Sequence, residues 1–113
     1  ASLIQLKNPS ISFAINLSKM AFTVIVKEEA HQDTLDAYWY YEKKQKGLGE
    51  RFLDLLQSCY ETIAHNPTHY GYISEDPQKI LRDVKLDKFP FVIVYEIIEE
   101  EVIIYAVHNT YKH

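Results

Sequence analysis

The sequence predicts an α+β domain in which one strand, a pair of helices and a meander of three strands follow one another, with the helices packed on one face of the sheet. Three observations predict it. A period-2 run lies at 22–28, two helix-like segments meet at Gly47, and three extended runs follow Pro67. With 113 residues, 47% of them apolar, there is material for one compact core and no room for a second domain.

Each element has its own local reason. "FTVIVKE" (22–28) sets Phe22, Val24 and Val26 against Thr23, Ile25 and Lys27, the alternation of a half-buried strand. "EAHQDTLDAYWYYEKKQKG" then carries acids in its first turns, lysines in its last, and Gly47 where a left-handed cap would sit. "LGERFLDLLQSCYETIAHNP" spaces Leu48, Phe52, Leu55, Cys59 and Ile63 along one helical face, and Pro67 marks its end. So short a turn between two helices predicts a helical hairpin. Extended runs are predicted at 79–86, 89–98 and 101–108, with a short extended piece at 70–74. The run at 89–98 is apolar on consecutive positions, as a central strand would be. Only glutamates separate it from the next run, so the two form an antiparallel hairpin.

The first nineteen residues differ in composition. They hold two lysines and no acid, whereas residues 20–113 hold ten Lys and Arg against sixteen Asp and Glu, a balance of −6. We read 1–19 as an appendage, either an upstream extension or an added strand, since "ISFAINLS" (11–18) alternates as a strand does. The domain itself is placed at 20–113.

Charge and composition narrow the function. The chain carries −4 overall and only two arginines, Arg51 and Arg82, so a general nucleic-acid binder is disfavoured. The lone Cys59 rules out an internal disulfide and suits a reducing, cytoplasmic setting. No apolar run reaches the ~18 residues of a membrane span, and no membrane role is expected. A glycine-rich phosphate loop is missing, His65 and His69 are split by Pro67, and neither a metal site nor a cofactor is called for.

Two groups of residues stand out. Arg82 shares its strand face with Ile80, Val84 and Leu86, so its guanidinium serves either as a partner for a carboxylate such as Glu96 or as a phosphate clamp, with Lys85 and Lys88 adding charge nearby. Tyr38, Trp39, Tyr40 and Tyr41 are consecutive on a helix and cannot all face one core. At least one looks away from that core, where it either marks a surface for a partner or for a second copy of the chain, a homodimer, or is covered with the others by the sheet, the second helix and the N-terminal segment.

The strings "GLGERFLDLLQSCYETIAHNPTHY" and "LRDVKLDKFPFVIVYEIIEEEVIIYAVHNTYKH" together resemble the RelE/ParE superfamily of toxins from type II toxin–antitoxin modules, above all the plasmid-stabilisation, ParE-like branch. The matching residues are Gly47, Leu48, Gly49 and Phe52, Asn66 and Pro67, Arg82, Phe89 to Phe91, Tyr95 and Glu96, and Ala106 to His108. The resemblance implies the RelE/ParE-like fold, a cognate antitoxin partner, and one of two actions. A ParE-like toxin binds DNA gyrase and has no assigned catalytic residues. A RelE-like toxin instead cuts messenger RNA on the ribosome, and Arg82, His108 and Tyr111 would then supply the cation, base and acid that phosphodiester cleavage needs. The acidic balance and the arginine-poor ending "HNTYKH" favour the binding toxin over the nuclease. A non-toxic or attenuated interaction module is the remaining reading.

Overall fold

A computed structural model describes residues 12–13 and 21–111 of the chain. Its elements are β1 (Ser12–Phe13), β2 (Thr23–Val26), α1 (Glu28–Lys44), α2 (Leu48–His65), β3 (Arg82–Lys85), β4 (Phe91–Ile98) and β5 (Glu101–Asn109). They form one five-stranded sheet in the order β1-β2-β5-β4-β3. The predicted meander is present, because β3 pairs with β4 and β4 with β5, both antiparallel. Sequence reasoning left the neighbour of β2 open, and the structure supplies it: β2 lies parallel to β5, with Val24 opposite Val102 and Val26 opposite Ile104. The sheet is therefore mixed, and the helical hairpin carries the chain from β2 across the sheet to β3 at its far edge. Of the strand predicted over 11–18, Ser12–Phe13 pairs antiparallel with β2, and the rest lies outside the described residues.

One face of the sheet meets the helices. Val24, Val26, Ile93, Tyr95, Val102, Ile104 and Val107 bury against Ala30, Ala37, Phe52, Leu56, Tyr60 and Ile63. The hairpin turn depends on glycine twice. Gly47 has φ +89°, a left-handed backbone that side chains resist. Gly49 sits where an added Cβ would lie 2.7 Å from the Tyr38 carbonyl and 2.8 Å from its ring, so only hydrogen lets α2 approach α1 this closely. The Glu42 carboxylate finishes the turn by accepting from the Gly47 and Gly49 N–H groups, both at 2.9 Å. These are donors that the start of a helix otherwise leaves unpaired.

The predicted strand at 79–86 shortens to Arg82–Lys85 for a local reason. Asp76 accepts from the N–H groups of Gln78, Ile80 and Leu81 at 3.1, 2.8 and 2.7 Å, and Lys79 adopts φ +57°. An aspartate that captures three donors holds its segment as a turn and takes it from the ladder. The short extended piece expected at 70–74 survives as a single antiparallel bridge between Tyr72 and Arg82.

Candidate functional site

Arg82 is the first residue to locate. It pairs in register with Tyr95, whose side chain is fully buried on the helix face, so Arg82 faces the same way. Its guanidinium donates to the Tyr70 carbonyl at 2.6 Å and the Tyr72 hydroxyl at 2.9 Å, with a longer contact to the Thr68 carbonyl at 3.5 Å. It also stacks over the Tyr72 ring, 4.0 Å from the centroid. The carboxylate partner expected at Glu96 is not used. Glu96 lies on the opposite sheet face and accepts from the Tyr105 hydroxyl at 2.7 Å. Beside Arg82, the Tyr95 hydroxyl donates to the Pro67 carbonyl at 2.6 Å, and burial pushes that phenol up to about 12 while the guanidinium opposes the shift. Arg82 and Tyr95 together fasten the segment between α2 and β3 to the sheet. The head group is occupied with carbonyls of its own chain.

His108 lies elsewhere. It pairs with Val92, whose neighbours Phe91 and Ile93 point to the helices, so the His108–Val92–Lys85 row belongs to the open face of the sheet. Arg82 and His108 therefore occupy opposite faces, and the cation, base and acid of the nuclease reading do not converge. Lys85 and His108 are exposed on the open face with half-buried Val92 between them, and Lys88 is exposed in the turn before β4 at φ +70°. Tyr111 stands out from the surface at 82% exposure, and its N–H donates to the Asn109 side chain.

The consecutive aromatics divide as helix geometry requires. Tyr38 is buried under Gly49, and Tyr41 is half-buried edge-on to Phe89 with a centroid distance of 4.8 Å. Trp39 and Tyr40 turn outward, 57% and 52% exposed. With Asp36, Lys43 and Lys44 they line one shallow groove, and residues 36, 39, 40, 43 and 44 form the i, i+3, i+4, i+7, i+8 stripe that a helix normally buries. Lys44 lies 4.9 Å from the Tyr40 ring centroid.

A second groove adjoins the first through Asp36 and Tyr40. It runs between α1 and the end of β5, lined by Asp33, Asp36, Ala37, Tyr40, Phe91 and Val107 and closed by His108, Asn109 and Tyr111. The groove exists because β2 pairs with β5 only as far as Ile104. Past that point no strand among the described residues pairs with this edge of β5, and α1 reaches it where Asp33 accepts from the Val107 N–H at 3.0 Å. A register shift between Val94 and Tyr95 leaves Tyr105 unpaired just before this edge. Tyr40 is shared by the two grooves, with His108 and Tyr111 lining the second and Trp39 the first. Asp33 and Asp36 were missed in the sequence, although their i, i+3, i+4, i+7 spacing with Ala37 and Tyr40 was available to read.

Comparison with known proteins agrees with this layout. The family model for the ParE toxin of the type II toxin–antitoxin system parDE matches residues 24–110. Among solved structures, a chain of the chromosomal ParDE toxin–antitoxin system from P. aeruginosa superposes with a TM-score of 0.68 at 17% identity, over 81% of this chain and 98% of that one. No curated protein sequence matches significantly. On the extent of the family match, from the first residues of β2 to just past β5, the chain belongs to the ParE toxin family of type II toxin–antitoxin systems.

Proposed function

We propose that this domain is a toxin that acts by binding a macromolecular target such as DNA gyrase, and that a cognate antitoxin neutralises it by covering the paired grooves along α1. The observation that carries this reading is the separation of Arg82 from His108. RNA cleavage by side chains needs a base, a cation and an acid around one phosphate. Here Arg82 is bonded to the Tyr70 carbonyl and the Tyr72 hydroxyl, on the face away from His108. A binding toxin makes no such demand.

The antitoxin surface is assigned to Trp39, Tyr40 and Tyr111 because each ring is exposed and Tyr40 belongs to both grooves, which carry carboxylates at one end and lysines at the other. Large aromatics with polar rims are the usual anchors of protein interfaces. Tyr38 and Tyr41, which were grouped with them in the sequence, support the surface from beneath. Lys85 and Lys88 remain free for a target phosphate, whereas Arg82 acts as the fastener of the loop they border.

The test uses purified protein. Added to gyrase and relaxed plasmid, the chain should block supercoiling or trap cleaved DNA, and the adjoining reading frame's protein should reverse the effect. Unchanged gyrase activity together with message cleavage in a ribosome-programmed translation reaction would replace this reading with the nuclease one.

A further inference from the structure

The outer stripe of α1 is ordered by charge as well as by shape. Its N-terminal part carries Asp36, its centre Trp39 and Tyr40, and its C-terminal end Lys43 and Lys44. Reversing such a sequence exchanges acids for bases about its aromatic midpoint. Two copies of α1 laid antiparallel, with the two-fold axis between positions 39 and 40, bring Asp36 opposite Lys43, a pair that occurs twice. Trp39 of each copy then meets Tyr40 of the other at the centre. A surface that complements itself under a two-fold rotation is what an isologous dimer requires.

We propose that in the absence of its other partners this chain forms a symmetric dimer through antiparallel α1 helices, with Trp39 and Tyr40 at the centre and Asp36 facing Lys43 of the second copy. The physical drive is removal of two half-exposed aromatic stripes from water. The charges set orientation and register more than affinity. A parallel arrangement would set acids on acids and lysines on lysines, so charge alone selects the antiparallel one. The helix is 17 residues long, or about 25 Å, and one such stripe buries less than the ~1,200 Å² of a standard stable interface. Association is therefore weak and readily displaced. The proposal does not rest on the gyrase or antitoxin readings, although a partner using the same grooves would compete with the dimer.

Trp39 is the chain's single tryptophan, so its emission reports on this surface alone. Sedimentation of the full chain over about two decades of concentration should show a monomer–dimer equilibrium, and Trp39 emission should shift to the blue in step with it. Asp36→Lys should abolish the dimer, as should Lys43→Glu with Lys44→Glu, because each sets like charges opposite one another. An equimolar mixture of the two variants should restore a heterodimer, since both of its charge pairs are again opposite in sign. Circular dichroism of each variant confirms that these exposed substitutions leave the fold intact. A monomer at every concentration, a dimer that survives in the single variants, or a mixture no more associated than its components would each overturn the proposal.

Discussion

Replacing Arg82 with alanine separates a residue that holds the fold from one that touches a target. In the native chain its guanidinium donates to the Tyr70 carbonyl and the Tyr72 hydroxyl and lies on the Tyr72 ring. A hydrogen bond from a charged donor contributes about 1.5–3 kcal/mol when buried, and a cation–π contact about 0.5–1 kcal/mol at an exposed site. Arg82 is half-buried, so water recovers part of this, and the net cost of Arg82→Ala is on the order of 2 kcal/mol. For a domain of this size that lowers Tm by on the order of 10 °C. Thermal unfolding followed by circular dichroism reads the shift directly. Amide exchange adds the location, because the Ile73 and Asp83 N–H groups, which bond to Leu81 and Gly71 across the fastened edge, should lose protection first. Arg82→Lys should recover only part of the stability, since one ammonium cannot reach carbonyl and hydroxyl while stacking on the ring. An unchanged Tm and unchanged exchange in Arg82→Ala, combined with loss of target binding, would refute the fastening role.

Two further predictions concern the helices. Gly49→Ala forces a methyl to within 2.7 Å of the Tyr38 backbone carbonyl, and the hairpin must spread to admit it, at a cost of about 1–3 kcal/mol read by urea unfolding; a Tm at the parent value would show that the close approach is not needed. His31 is buried on α1, and burial lowers its pKa below the ordinary 6.5 despite an opposing contribution from Glu28. The native state therefore resists the proton that the unfolded chain accepts, so stability is complete above pH 6.5 and falls as pH drops through the lowered value, by at most about 1.4 kcal/mol per pH unit. His31→Leu should flatten that part of the Tm–pH curve, and an identical slope in both proteins would exclude His31 as its source.

The elements whose cause is local were legible in the sequence. Gly47 announced the turn, Pro67 the end of α2, and the glutamates 99–101 the β4–β5 hairpin, because in each case a few neighbouring residues decide the backbone. The outward turn of the aromatic run followed from helix geometry, although which two rings would be exposed depended on where α2 packs. Long-range choices were not legible. Nothing within 22–28 states that β2 will lie parallel to β5, and that pairing, by stopping at Ile104, creates the groove at the β5 edge. The partner of Arg82 was misjudged for the same reason. Its strand face was read correctly, but backbone carbonyls carry no signature in a sequence, whereas Glu96 does, and the carbonyl of Tyr70 arrives only once the loop folds back.

We propose that this ParE-family domain arrests its target by binding it, without cutting RNA. Inducing the chain in bacteria with and without the adjoining reading frame, while mapping DNA ends and messenger RNA ends from the same cells, tests it most directly. Growth arrest is expected with accumulating DNA breaks and intact messages, relieved when the neighbour is present and preserved in His108→Ala. Ribosome-dependent cuts in messages that disappear in His108→Ala, with chromosomal DNA unbroken, would contradict it.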